Sequence, residues 1–289
     1  MFDKLRKRLP GKLGQVPTTI PVVRLQGAIG MGAPFRPGLS LASVAPLLDR
    51  AFALDAPAVA LVINSPGGSP VQSRLIHDRV RQLAREKKRD VLVFVEDVAA
   101  SGGYMLAIAG DEIHVDPSSI VGSIGVVSAG FGFTEAIARL GIERRVHTAG
   151  ESKAILDPFR PEREEDVTHL KALQAEVHED FIALVRERRG DVLSEASDLF
   201  SGLFWSGRTA RDLGLVDGIG DIRSTLRARF GDKVRMKLIE PRRGLFGRKF
   251  GVGTASDTVG GLGAGIGAGA SAEMLASVEE RALWARYGL

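Results

Sequence analysis

Two short runs, Ala58–Ile63 and Val91–Val95, are apolar at every position. A strand without a polar side has both faces covered, the pattern of a parallel sheet packed between helices. The intervening segments have helical spacing. Leu41, Val44, Leu47, Leu48, Ala51 and Phe52 share one face over 41–54, and a second helix is expected over Val71–Arg85. Parallel neighbours require crossover connections, so the chain reads as α/β, with a mainly parallel sheet and crossover helices. Further strands are expected at 22–26, 112–115, 125–128 and 144–147. Further helices are expected after Ser101 through Ala109, and over 134–140, 161–189 and 205–213.

In such sheets ligands sit at the carboxyl ends of strands. Two glycine-bearing turns fall there: Asn64-Ser-Pro-Gly-Gly68 after the first apolar run, and Ser101-Gly-Gly103 after the second. The 289 residues are 44% hydrophobic, enough for a sizeable core and unlike a disordered chain. With no cysteine, a disulfide framework, a thiol nucleophile and a Cys-ligated metal are all excluded. A net charge of +4 without an aromatic-interleaved basic stripe gives no reason to expect nucleic acid.

The ends differ from the middle. Residues 1–17 form a basic segment whose Phe2, Leu5 and Leu9 share a helical face. This reads as a solvated terminus, or as a contact with an anionic membrane surface. No run of about 18 apolar residues suggests a transmembrane helix, and no signal-peptide core follows the basic start. A cytoplasmic protein is expected, with peripheral contact at the inner membrane as the variant reading. Residues 18–240 are the expected catalytic domain. Residues 241–272 form a basic, glycine-rich linker, expected to be flexible, and 273–289 a short C-terminal helix. Gly251–Ala270 is small and apolar, a segment able to thread into an active site as a self-inhibitor or as a self-cleavage site.

Ser101 follows a buried strand and opens a helix. In that position it serves either as a nucleophile, with the Gly102 amide facing a developing oxyanion, or as an ordinary helix N-cap. The Gly68 amide is a second candidate oxyanion donor, unless the two glycines only make a tight turn. A serine nucleophile needs a base. His77, His169 and His178 read as solvated helix positions, and His114 and His147 as structural strand histidines, so a Ser-His-Asp triad has little support. A lysine can act as base if its amine is desolvated and neutral. Lys153, in Gly150-Glu-Ser-Lys153 just after an expected strand, is the candidate, against the plain alternative of an exposed loop lysine.

Together, Asn64–Gly68, Ala100-Ser-Gly-Gly-Tyr104 and Gly150–Lys153 resemble the signal peptide peptidase A (protease IV) and SohB family of serine peptidases. So do Gly122-Ser-Ile-Gly-Val126, Asp157-Pro-Phe159 and Trp205-Ser-Gly-Arg208 with Gly214-Leu-Val-Asp217. The separation of Ser101 and Lys153 fits the single-repeat members. The resemblance implies a crotonase-like (ClpP-like) fold and a Ser/Lys dyad working without a cofactor. It makes Ser101 the nucleophile, Lys153 the general base and Ser123 the residue that orients the lysine amine, with Gly68 and Gly102 as the oxyanion hole. It also implies a homo-oligomeric ring whose sites are completed between subunits, acting on unfolded or apolar peptides such as remnant signal peptides. Two rivals stand beside it: a crotonase-type acyl-CoA enzyme, and a non-catalytic peptide-binding scaffold.

Overall fold

The computed structural model describes residues 17–30, 38–241 and 281–288. The basic segment up to residue 16 and the glycine-rich stretch lie outside them, as does the first part of the expected C-terminal helix. Within 281–288, residues 281–285 are helical.

Among the described residues, eight strands form one sheet. Its main path runs β6 (Phe204–Ser206), β5 (Ile120–Gly122), β3 (Asp90–Ala100), β2 (Ala58–Ser65), β1 (Thr19–Gln26), β8 (Arg235–Leu238). β4 (Glu112–Val115) pairs with the first half of β3 and with β7 (Gly218–Ile219). Every pairing is parallel except β5 with β6.

The two apolar runs became the central strands because each has two faces to bury. Val59, Leu61 and Ile63 of β2 and Val91, Val93 and Val95 of β3 face one core. That core is closed by α1 (Leu41–Phe52), α2 (Pro70–Lys87) and α3 (Gly102–Ala107), and by the C-terminal half of the long helix α5 (Glu164–Arg189), which contributes Phe181, Leu184 and Val185. The alternate residues Ala58, Ala60, Val62, Leu92 and Phe94 face a smaller core under α7 (Ile222–Phe230). Local signals set the helix starts. Ser40 and Ser43 cap α1 reciprocally, Ser69 caps α2 ahead of Pro70, and Asp221 caps α7.

Three expectations fail for local reasons. The strand expected at 125–128 is absent, because Gly122 and Ser123 adopt positive φ of 111° and 54° and end the extended backbone. The strand expected at 144–147 is irregular and exposed, with no neighbouring strand to pair with. The helix expected from Trp205 begins only at α6 (Gly207–Asp212), because residues 204–206 pair with β5 and Ser206 then caps the helix through the Thr209 N–H. The short helix α4 (Thr134–Arg139) lies where helical spacing placed one.

Candidate active site

β3 runs into α3 through a single residue, Ser101, whose φ is 52° and ψ −121°. Positive φ is costly for a residue with a Cβ, on the order of 1–3 kcal/mol, and persists only where the surroundings impose it. Here the Ser101 N–H donates to the Gly122 carbonyl (2.8 Å), and its carbonyl accepts from the Tyr104 and Met105 amides (2.9 and 3.1 Å). The hydroxyl makes no capping bond to the helix, so Ser101 is not an N-cap in the ordinary sense. A sharp strand-to-helix turn whose hydroxyl makes no hydrogen bond among the described residues is the geometry that presents a serine nucleophile.

The turn leaving β2 lies against this serine. A Cβ on Gly67 would sit 2.9 Å from the Ser101 Cβ. Gly68, at φ 138°, is bridged to Ile29: the Ile29 N–H donates to the Gly67 carbonyl and the Ser69 N–H to the Ile29 carbonyl, both at 2.8 Å. Among the described residues, neither the Gly68 nor the Gly102 amide donates a hydrogen bond to protein. Two amides left free beside a serine are what an oxyanion hole requires. A β-bulge between Ile63 and Ser65 shapes this end of β2. Asn64 fills it: its side-chain oxygen accepts from the Val98 N–H (3.2 Å) and its amide donates to Asp97 (2.7 Å). Sequence reading took Asn64 only as part of the turn. Its bracing of the last stretch of β3 had no local signal.

Ser123 arrives from the other side. Ala100 of β3 is in register with Gly122 of β5, so the two serines follow paired residues on adjacent parallel strands. Ser123 is buried, and its N–H donates to the Leu203 carbonyl (2.7 Å). Its hydroxyl accepts a 3.2 Å hydrogen bond from Tyr287, far along the chain. Nothing in the sequence pointed to Tyr287.

Lys153 is exposed, in a turn at 151–156. No hydrogen bond joins it to Ser101 or Ser123 among the described residues. The segment that carries it, 125–165, has no buried residue. It is braced internally. The Phe133 N–H donates to the Pro158 carbonyl (2.6 Å), Phe133 packs on Phe159 (centroids 5.5 Å apart), and Arg144 lies 4.7 Å over the Phe159 ring. Asp157 accepts from the Phe159 N–H and from Arg144, contacts that hold its carboxyl below the usual range.

No histidine hydrogen-bonds to Ser101 among the described residues. His178 pairs with the Ile124 carbonyl (3.1 Å), and His114 lies beside Glu112 and stacks on Phe94. His77, expected to be solvated, is buried instead, on the inward face of α2. Burial lowers its pKa below the ordinary 6.5, against the opposing pull of Asp78.

Residues 83–233, just over half of the chain, match the model of Peptidase family S49, and the match contains Ser101, Ser123 and Lys153. A protein of Methanocaldococcus jannaschii named as a protease is 34% identical over 215 residues, 72% of this chain and 67% of that protein. The chain belongs to peptidase family S49. Protease 4 of Haemophilus influenzae is 32% identical over 226 residues, 76% of this chain and 36% of that protein. A Brucella abortus (strain 2308) protein named Na(+)/H(+) antiporter NhaA is 59% identical over 290 residues, 99% of this chain, and the chain spans 39% of that protein's length. Membership of S49 accounts for the architecture seen here, the crotonase-like (ClpP-like) α/β fold. Among the described residues no helix is long and apolar enough to cross a membrane.

Proposed function

We infer that this S49 member is a serine endopeptidase with a Ser/Lys dyad, acting on unfolded or apolar peptides such as remnant signal peptides. The observation that carries the reading is Ser101: an uncapped hydroxyl on a strained strand-to-helix joint, between two unbonded amides and Ser123. Lys153 is the general base, delivered by a neighbouring copy in a homo-oligomer. The bare surface of 125–165 supports this, because a segment of that length with no fully buried residue and exposed Phe131, Leu140 and Ile142 offers a surface for a partner to pack against.

The neutral Lys153 amine takes the Ser101 proton as the oxygen attacks a peptide carbonyl. The oxyanion is held by the Gly68 and Gly102 amides, each worth roughly 3–4 kcal/mol in the transition state. Collapse breaks the C–N bond, and the leaving amine takes the proton back from lysine. Water, deprotonated by the Lys153 amine, then attacks the acyl carbonyl, the ester C–O bond breaks, and Ser101 takes its proton back from lysine. Ser123 orients the amine throughout. Substrate binds extended beside the strand ends, where backbone pairing tolerates many sequences.

Ser101→Ala and Lys153→Ala should each lower cleavage of an unstructured reporter peptide by about 10³-fold or more, with melting temperature unchanged. A serine-directed acylating probe should label Ser101 by mass spectrometry. Full activity in either variant removes the dyad. An unlabelled Ser101 would favour the acyl-CoA enzyme.

A further inference from the structure

We propose that residues 281–288 are a latch that occupies, in the single chain, the seat the base amine needs at Ser123. The inference rests on the Ser/Lys reading and concerns the regulation of that site. Tyr287 is 8% exposed and Ser123 5% exposed, and the phenol hydroxyl donates to the Ser123 hydroxyl at 3.2 Å. The Tyr287 ring lies in a cluster with Val98 and Ala100, the latter adjoining Ser101, and stands edge-on to Phe204 of β6 with centroids 5.0 Å apart. The phenol therefore covers the residue assigned to position lysine.

Among the described residues, the segment is held at few points. Tyr287 is its only buried residue among 281–288, and Trp284 is only partly buried beside the same cluster. A side chain whose described anchors are its ring packing and one hydrogen bond can be displaced by a better occupant. The arm carrying Lys153 is such an occupant once a second copy supplies surface for Phe131, Phe133, Leu140 and Ile142, all exposed in the single chain. Tyr287 in place leaves the site closed. Tyr287 displaced opens Ser123 to the amine. The covering group is thus an aromatic side chain near the end of the described chain; the glycine-rich stretch that composition suggested lies outside the described residues.

The test compares full-length wild type, Tyr287→Ala and Tyr287→Phe in two assays: turnover of an unstructured reporter peptide, and oligomer size by sedimentation velocity over a range of protein concentration. With the latch removed, Tyr287→Ala should turn over several-fold faster and assemble at several-fold lower concentration. Tyr287→Phe, which loses only the hydroxyl, should fall between. A synthetic peptide of residues 281–288 added to Tyr287→Ala should restore inhibition, and the same peptide with alanine for tyrosine should not. Turnover and assembly unchanged or reduced in a folded Tyr287→Ala protein would overturn the latch. Lys153→Ala in the Tyr287→Ala background separates the two ideas. Activity persisting there removes the Ser/Lys reading, and sedimentation then judges the latch alone.

Discussion

Gly68 performs two tasks that a single methyl group separates. Its φ of 138° lets the turn bridge to Ile29, and its amide is left free beside Ser101. A Cβ at this position would overlap the Ile29 backbone, which isolated bridges to Leu39 and to Gly68 itself hold in place. Gly68→Ala must therefore shift the turn and, in the proposed mechanism, move the amide away from the developing oxyanion. The expected result is a fall in kcat of about 10²–10³-fold, with a smaller change in KM. Stability should drop by only about 1–3 kcal/mol. Steady-state kinetics beside a urea melt decide it. If Gly68 were no more than a tight-turn residue, stability would fall and kcat per folded molecule would hold. Gly67 is less diagnostic, because a Cβ there meets the Ser101 side chain itself and would perturb the nucleophile directly.

The elements separate what local sequence encodes from what only packing reveals. β2 and β3 were legible because unbroken apolar runs have one good solution, burial on both faces. The Ser101 joint was legible because a serine followed by two glycines at a strand end is a local pattern. The end of β5 was not, since the positive φ of Ser123 follows from its contacts with Leu203 and Tyr287, distant in sequence. His77 was misread for a related reason: the charges around it on α2 describe the helix's outer face, while His77 points inward with Ile76 and Val80. That burial has a measurable consequence. Desolvation lowers the His77 pKa in the folded state, Arg188 and Arg74 add to the effect, and Asp78 opposes it. Between the depressed folded value and 6.5 the unfolded chain binds a proton that the folded chain does not. Stability is thus full above about pH 6.5 and falls as pH drops through that window. His77→Gln should flatten this slope in chemical melts from about pH 7.5 to about pH 5. An equal slope in both proteins would assign the acid sensitivity elsewhere.

At the scale of the whole molecule, the residues of the proposed catalytic site divide into two bodies. Ser101, Gly68, Gly102 and Ser123 belong to the sheet and its turns, fixed by strand register. Lys153 belongs to an arm, 125–165, that braces itself through Phe133, Phe159 and Arg144 and has no fully buried residue. An arm reaching from each copy to the next is a head-to-tail contact, and head-to-tail contacts close into rings when the rotation permits. Such an arrangement has a signature that a single-chain site lacks. A Ser101→Ala subunit still offers a lysine, and a Lys153→Ala subunit still offers a serine. Each protein alone should be inactive. Co-assembled in equal amounts, about a quarter of the junctions would unite an intact serine with an intact lysine from the next copy, if subunits mix at random around a head-to-tail ring. Reporter-peptide turnover near that fraction of wild type supports delivery across the interface. A mixture silent at every ratio, with mixed oligomers confirmed by mass, would place both groups in one chain. The exposed arm, with Phe131 81% accessible, would then need a different partner.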